Sequence, residues 1–209
     1  MIIKQDIGNR PTKASIEKFT DAFGDDYLSF WANGTFNIVL NTTLFTDPSG
    51  AEELYRDQLS WLEERLKYAQ AKQARCIFVF GHHPWFLYHD DEDIEDLKGE
   101  SPYPVEWGSR DGGFPDRYFA VPKSFRTGIM RLFRQYKVRA SFSGHFHQNL
   151  VSKSSFGMDM IITSSLSMVF ESTGKPKDFN EPNTRGVRIV DVEEGNSFAH
   201  CFVSIKDNC

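Results

Sequence analysis

The sequence has 209 residues, 40% of them apolar, a net charge of −5 and three cysteines. That is enough chain and apolar surface for one domain with a real core, which excludes a disordered polypeptide, and the acidic balance excludes a general binder of nucleic-acid backbones. Cys76, Cys201 and Cys209 fit no zinc spacing, and an odd count builds no disulfide framework.

In chain order, residues 13–23 read as a short helix, with Ile16, Phe19 and Phe23 on one face and Gly24 to end it. Residues 27–31 and 36–41 read as two strands around Asn33-Gly34, a tight-turn dipeptide. Residues 51–73 form a long amphipathic helix whose stripe is Leu54, Leu59, Leu62, Leu66 and Ala69. Residues 76–80 are wholly apolar, as a buried strand requires, and Cys76 reads as a reduced core residue. A reducing compartment, hence a cytoplasmic location, is the matching expectation.

Residues 88–122 break the rhythm with an acidic run, prolines, glycines and aromatics, and read as a loop insertion. Its acidic run reads as a solvated face, and Trp107, Arg110 and Arg117 are candidate contacts at a substrate entrance. A helix follows over 123–136, a buried strand over 138–142, and further strands near 158–163, 185–192 and 197–205. This order points to an α/β sandwich with sheets flanked by helices. No segment reaches membrane-spanning length, and residues 1–6 lack the apolar stretch of a signal peptide, so no membrane partner is expected.

Four of the six histidines fall in two motifs, each directly after an apolar strand: Gly81-His82-His83-Pro84 and Gly144-His145-Phe146-His147. Ligand sites of open α/β sheets gather at the carboxyl ends of strands, so both motifs should open toward one crevice. Neutral imidazole is a common ligand of divalent transition metals, and converging imidazoles point to a metal site. The bland alternative is a polar histidine network without metal.

These motifs resemble the last two blocks of the calcineurin-like metallophosphoesterases. The likeness extends to residues 6–12, 24–31, 38–41 and 119–149, and within that family it is to the cytosolic serine/threonine phosphatase type. The resemblance implies that residues 1–209 form one calcineurin-like phosphoesterase domain, the C-terminal part of the family's α/β sandwich of two mixed sheets, incomplete at its N-terminus. It also implies two divalent ions (Mn, Fe, Zn or Mg) about 3.5–4 Å apart, with a metal-bound hydroxide attacking a phosphate monoester. The substrate class it suggests is phosphoserine or phosphothreonine protein. His82, His145 and His147 match metal ligands, His83 stands at a variable position beside them in a supporting role, and Asp6 matches the acidic residue that orients the family's catalytic histidine.

The chain also departs from the family pattern. The blocks Asp-x-His and Gly-Asp, which supply metal-binding carboxylates, have no counterpart, and Lys4-Gln5 stands where Asn-His is expected. Gln5 cannot handle a proton as that histidine does, so no catalytic residue is assigned. The alternatives are a catalytically impaired binding or regulatory module that keeps the fold, and a phosphodiesterase.

Overall fold

A six-stranded sheet organises the chain in a computed structural model that describes residues 10–93, 118–167, 169, 181, 184–193 and 195–205. Lys4, Gln5 and Asp6 lie outside the described residues, as do Trp107, Arg110, Arg117 and most of the 88–122 insertion.

Helix α1 (Lys13–Phe23) starts at a reciprocal cap, in which Thr12 Oγ1 accepts from Ser15 N–H and Ser15 Oγ accepts from Thr12 N–H, and it stops at Gly24 with φ 87°. β1 (Leu28–Ala32) and β2 (Thr35–Val39) pair antiparallel. The turn between them needs positive φ at both central residues, and Asn33 (46°) and Gly34 (78°) adopt it. A short helix α2 (Thr43–Thr46) leads into α3 (Glu52–Ala71), and β3 (Cys76–Phe80) follows. After the insertion come α4 (Lys123–Gln135), β4 (Ala140–Ser143), β5 (Leu150–Lys153) and β6 (Asp159–Ile162). β7 (Gly186–Val192) and β8 (Phe198–Ser204) complete the order.

The main sheet runs β1-β2-β3-β4-β6-β5; its central strands β2, β3, β4 and β6 are parallel and its edge strands antiparallel. It is therefore mixed, while the second sheet is the antiparallel pair β7–β8. Alternation along the strands feeds two cores. Phe36, Ile38, Ile77, Val79, Met160 and Ile162 point toward α3 and α4, where Leu62, Leu66, Ile129 and Phe133 meet them. Cys76, Phe78, Ala140, Phe142 and Ile161 point the other way, toward Val190, Val192 and Phe198 of the β7–β8 pair. The Phe78 and Phe198 rings meet edge to face at 5.1 Å. Cys76 is a free, buried core residue, as its place in an apolar run implies. Among the described residues, no helix is long and apolar enough to cross a membrane.

Elements without a sequence signal include β5, four residues of which two are polar, and α2, a single turn followed by a short 3-10 turn at Pro48–Gly50. The single turn matters most for the histidine motifs, because Thr42 stands at its N-terminal boundary.

Candidate metal centre

β3 and β4 are parallel neighbours, with Phe80 opposite Phe142, so the two histidine motifs leave the sheet side by side. Backbone hydrogen bonds tie them together: Gly81 N–H donates to Phe142 C=O and Gly144 N–H to His82 C=O, each at 3.1 Å. The motifs predict convergence of His82, His145 and His147; this register brings His82 and His145 together, and the third member of the imidazole group is His83 rather than His147.

The first turn is organised from outside itself. Thr42 Oγ1 accepts from the backbone N–H of His82 (3.1 Å) and of His83 (2.9 Å). Gly81 is required beneath it, since a Cβ there would stand 2.3 Å from Thr42 Cγ2. Beyond Pro84, the buried Trp85 donates its Nε1–H to Ser141 Oγ on β4 at 3.1 Å. The second turn carries a restraint in its own backbone. Phe146 N–H donates to Gly144 C=O at 2.6 Å, closing a three-residue turn on His145, whose φ is 62°; His147 follows at 56°. Non-glycine residues rarely hold left-handed φ, and such strain gathers at functional sites.

His82, His83 and His145 each offer a nitrogen, and these nitrogens lie within 4.8 Å of one another. His145 Nε2 lies 3.2 Å from the backbone carbonyl of Tyr118, so that nitrogen carries the proton and Nδ1 keeps its lone pair. Nδ1 faces His82 Nε2 at 3.0 Å. Two imidazole nitrogens bound to one ion at about 2.1 Å and a right angle are themselves about 3.0 Å apart. A metal-bound histidine also normally gives its second N–H to a carbonyl or carboxylate, as His145 does to Tyr118. Without an ion, His82 Nε2–H donates to the His145 Nδ1 lone pair across this gap, and a divalent ion would take the place of that proton between the two nitrogens. His147, half-buried on the same turn, is close enough for its charge to act on both rings.

Charge conditions agree with that fit. Burial pushes the His145 pKa down to about 3, with His82 beside it adding to the effect. His83 is pushed well below the ordinary histidine value, first by burial and then by His145 and His82. His82 keeps an open edge to solvent, yet crowding around its ring lowers its pKa, and His147 lowers it further. All three are neutral near physiological pH, the state a metal requires of its ligands. Among the described residues, no carboxylate joins the group.

The loop after the first motif is clasped from two sides. The Glu92 carboxylate accepts from the N–H groups of Leu87, Tyr88 and His89 at 2.7 to 3.0 Å. Buried Arg126 of α4 donates to the carbonyls of Val121 and Glu92, and Asp90 accepts from Ser155 N–H and Oγ–H. The acidic run is thus partly structural rather than a purely solvated face. Sequence reasoning found the histidines but missed Thr42 and the Tyr118 carbonyl. A threonine at a strand end has no distinctive pattern, and a backbone acceptor has none at all.

No family model matches the chain. Individual relatives do. The chain is 34% identical over 191 residues to serine/threonine-protein phosphatase CPPED1 of Danio rerio, covering 91% of this chain and 51% of that protein. It is 31% identical over 202 residues to CPPED1 of Rattus norvegicus, covering 97% and 54%. The chain thus spans about half the length of the curated relatives it matches. Among solved structures, it superposes with a TM-score of 0.55 on GAP50 of Plasmodium, the anchor in the inner membrane complex. That alignment is 17% identical and covers 85% of this chain and 49% of that one, a likeness of fold alone.

Proposed function

We propose that this chain, a relative of the calcineurin-like metallophosphoesterases, supplies the imidazole ligands of a divalent-metal site that hydrolyses phosphate monoesters. Phosphoserine or phosphothreonine protein is the substrate class, in line with the name of the CPPED1 relatives. The observation that carries the reading is the His82 Nε2 to His145 Nδ1 approach of 3.0 Å, with the second nitrogen of His145 bonded to Tyr118.

When bound, a divalent ion polarises phosphoryl oxygens and lowers the pKa of water. The chain's own residues prepare for it. His82 and His145 stay neutral and offer nitrogen lone pairs, and His147 on the adjoining turn is the third candidate ligand. Tyr118 fixes the ring of His145, and the clasp of Glu92 and Arg126 fixes the loop beside it.

The test uses release of phosphate from a phosphoserine peptide with Mn2+, with and without chelator. The chain alone should release phosphate weakly, because among the described residues no carboxylate joins the imidazoles. Fused to the family's Asp-x-His and Gly-Asp blocks, it should show strong, chelator-sensitive release that His145→Ala abolishes. A fusion that binds Mn2+ but releases nothing would overturn the hydrolase reading in favour of a metal-holding module.

A further inference from the structure

Thr42 supplies no ligand, yet its hydroxyl makes three contacts at the base of the first histidine turn. Oγ1 accepts from His82 N–H and His83 N–H, at 3.1 and 2.9 Å, and lies 3.1 Å from His83 Nδ1. A hydroxyl has two lone pairs and one proton. The two backbone donors occupy the lone pairs, so the third contact is the hydroxyl proton donated to Nδ1. A neutral imidazole that accepts at Nδ1 carries its own proton on Nε2. His83 is 2% exposed, and its Nε2 is buried without a hydrogen-bond partner among the described residues. Its ring lies against that of His145, with centroids 4.3 Å apart.

Thr42 is itself held in place. The preceding Asn41 is clasped by Gln58 of α3, which accepts from its backbone N–H at 2.8 Å and donates to its carbonyl at 3.1 Å. Gln58 is 0% exposed and Thr42 2%, and the Thr42 methyl fills the space that Gly81 leaves open. The contacts run unbroken from α3 through Asn41 and Thr42 to both histidines of the turn.

We infer that Thr42 is a positioning residue of the imidazole cluster: it pins the turn at Gly81 to Pro84 and holds His83 as the Nε2–H tautomer. His83 is then a hydrogen-bond donor for an oxygen at the site, and His82 and His145 are left to offer lone pairs. Only this last division of roles rests on the metal reading; the pinning and the tautomer stand without it.

The test has two readouts. Nitrogen-15 imidazole spectra of the chelator-treated chain should show His83 as the Nε2–H tautomer in the wild type and in Thr42→Ser, which keeps the hydroxyl. In Thr42→Val, the tautomer should shift toward Nδ1–H. Titration with Co2+ should show affinity about 10–100-fold weaker in Thr42→Val, the usual cost of losing a residue that orients a ligand, and near wild type in Thr42→Ser. An Nδ1–H tautomer in the wild type would overturn the inference even if Thr42→Val failed to fold. So would a folded Thr42→Val with unchanged tautomer and unchanged Co2+ affinity. A wild type with the expected tautomer that binds no Co2+ would sink the metal reading and leave the pinning standing.

Discussion

The two histidine turns sit side by side at the end of the same sheet, yet they are fixed by different means. The turn after β3 depends on a hydroxyl 40 residues away in the sequence: Thr42 holds its N–H groups and packs into the space above Gly81. The turn after β4 carries an internal restraint, left-handed backbone at His145 and His147 and a short bond from Phe146 to Gly144, in addition to the Gly144 bond to His82 C=O and the Tyr118 carbonyl at the His145 ring. The first is specified by packing and hydrogen bonding, the second by local strain as well. A site assembled this way should respond differently to the same substitution made on its two halves.

The largest effect tests what the halves share. His82→Ala and His145→Ala each remove one nitrogen of the 3.0 Å pair. Each should abolish measurable Co2+ binding by titration, and each should leave the fold intact by circular dichroism. His147→Ala should also weaken binding strongly if the second turn contributes two ligands. Unchanged affinity in His147→Ala would confine the site to His82 and His145.

The glycines should then separate the halves. Gly81→Ala places a Cβ 2.3 Å from Thr42 Cγ2, whereas at Gly144 the nearest atom is the Thr163 carbonyl oxygen at 4.0 Å. Overpacking in a closed space typically costs about 1–3 kcal/mol. Gly81→Ala should therefore lower Tm by several degrees, and Gly144→Ala should be tolerated. Adding Thr42→Ser to Gly81→Ala removes the clashing methyl but keeps the hydroxyl, so it should restore much of the loss. Equal effects at the two glycines would remove the distinction between the turns.

A smaller effect is expected from pH. The unfolded chain takes up a proton on each imidazole near pH 6.5, whereas His145 in the folded chain does so only at about 3, and His82 and His83 are lowered too. Between these values the unfolded state binds more protons, so stability rises with pH. The contribution is fully present above about pH 6.5 and is lost as pH falls toward 3. Thermal unfolding of the chelator-treated protein from pH 7 to 4 should show Tm falling with acidity. His145→Asn, which tolerates left-handed φ, should make the slope shallower. An unchanged slope would place the titrating groups elsewhere.

These contrasts also mark what a sequence can disclose. β3 was readable to the residue because all five of its side chains are apolar and four of them are buried. Gly24 and the Asn33-Gly34 turn were readable because few other residues adopt their backbone. The nearness of His82 to His145 followed from two strands ending in the same motif. That His83 shares their cluster did not follow, because it depends on which way a ring turns, and Thr42 decides that from another part of the chain. The carbonyl that fixes His145 comes from the end of the insertion, where the sequence has no periodicity to read. Local pattern thus located the histidines, and long-range hydrogen bonding set their tautomers and roles.

The smallest effects belong to the two histidines outside the turns. The His89 side chain is exposed; its backbone N–H donates to the Glu92 carboxylate and its carbonyl accepts from Glu92 N–H, both of which alanine keeps. His200 sits on β8, where its Nδ1 meets Arg188 Nη1 at 3.2 Å and Arg188 is already paired with Glu181. His89→Ala should leave both Tm and Co2+ affinity unchanged. His200→Ala should lower Tm slightly, because Arg188 loses one acceptor but keeps its carboxylate, and it should leave Co2+ affinity unchanged. The same titration that loses its signal in His145→Ala is the measurement. If His200→Ala lost it to the same degree while the fold held, the ion would have to be sought at the β7–β8 pair, and both histidine turns would be structural.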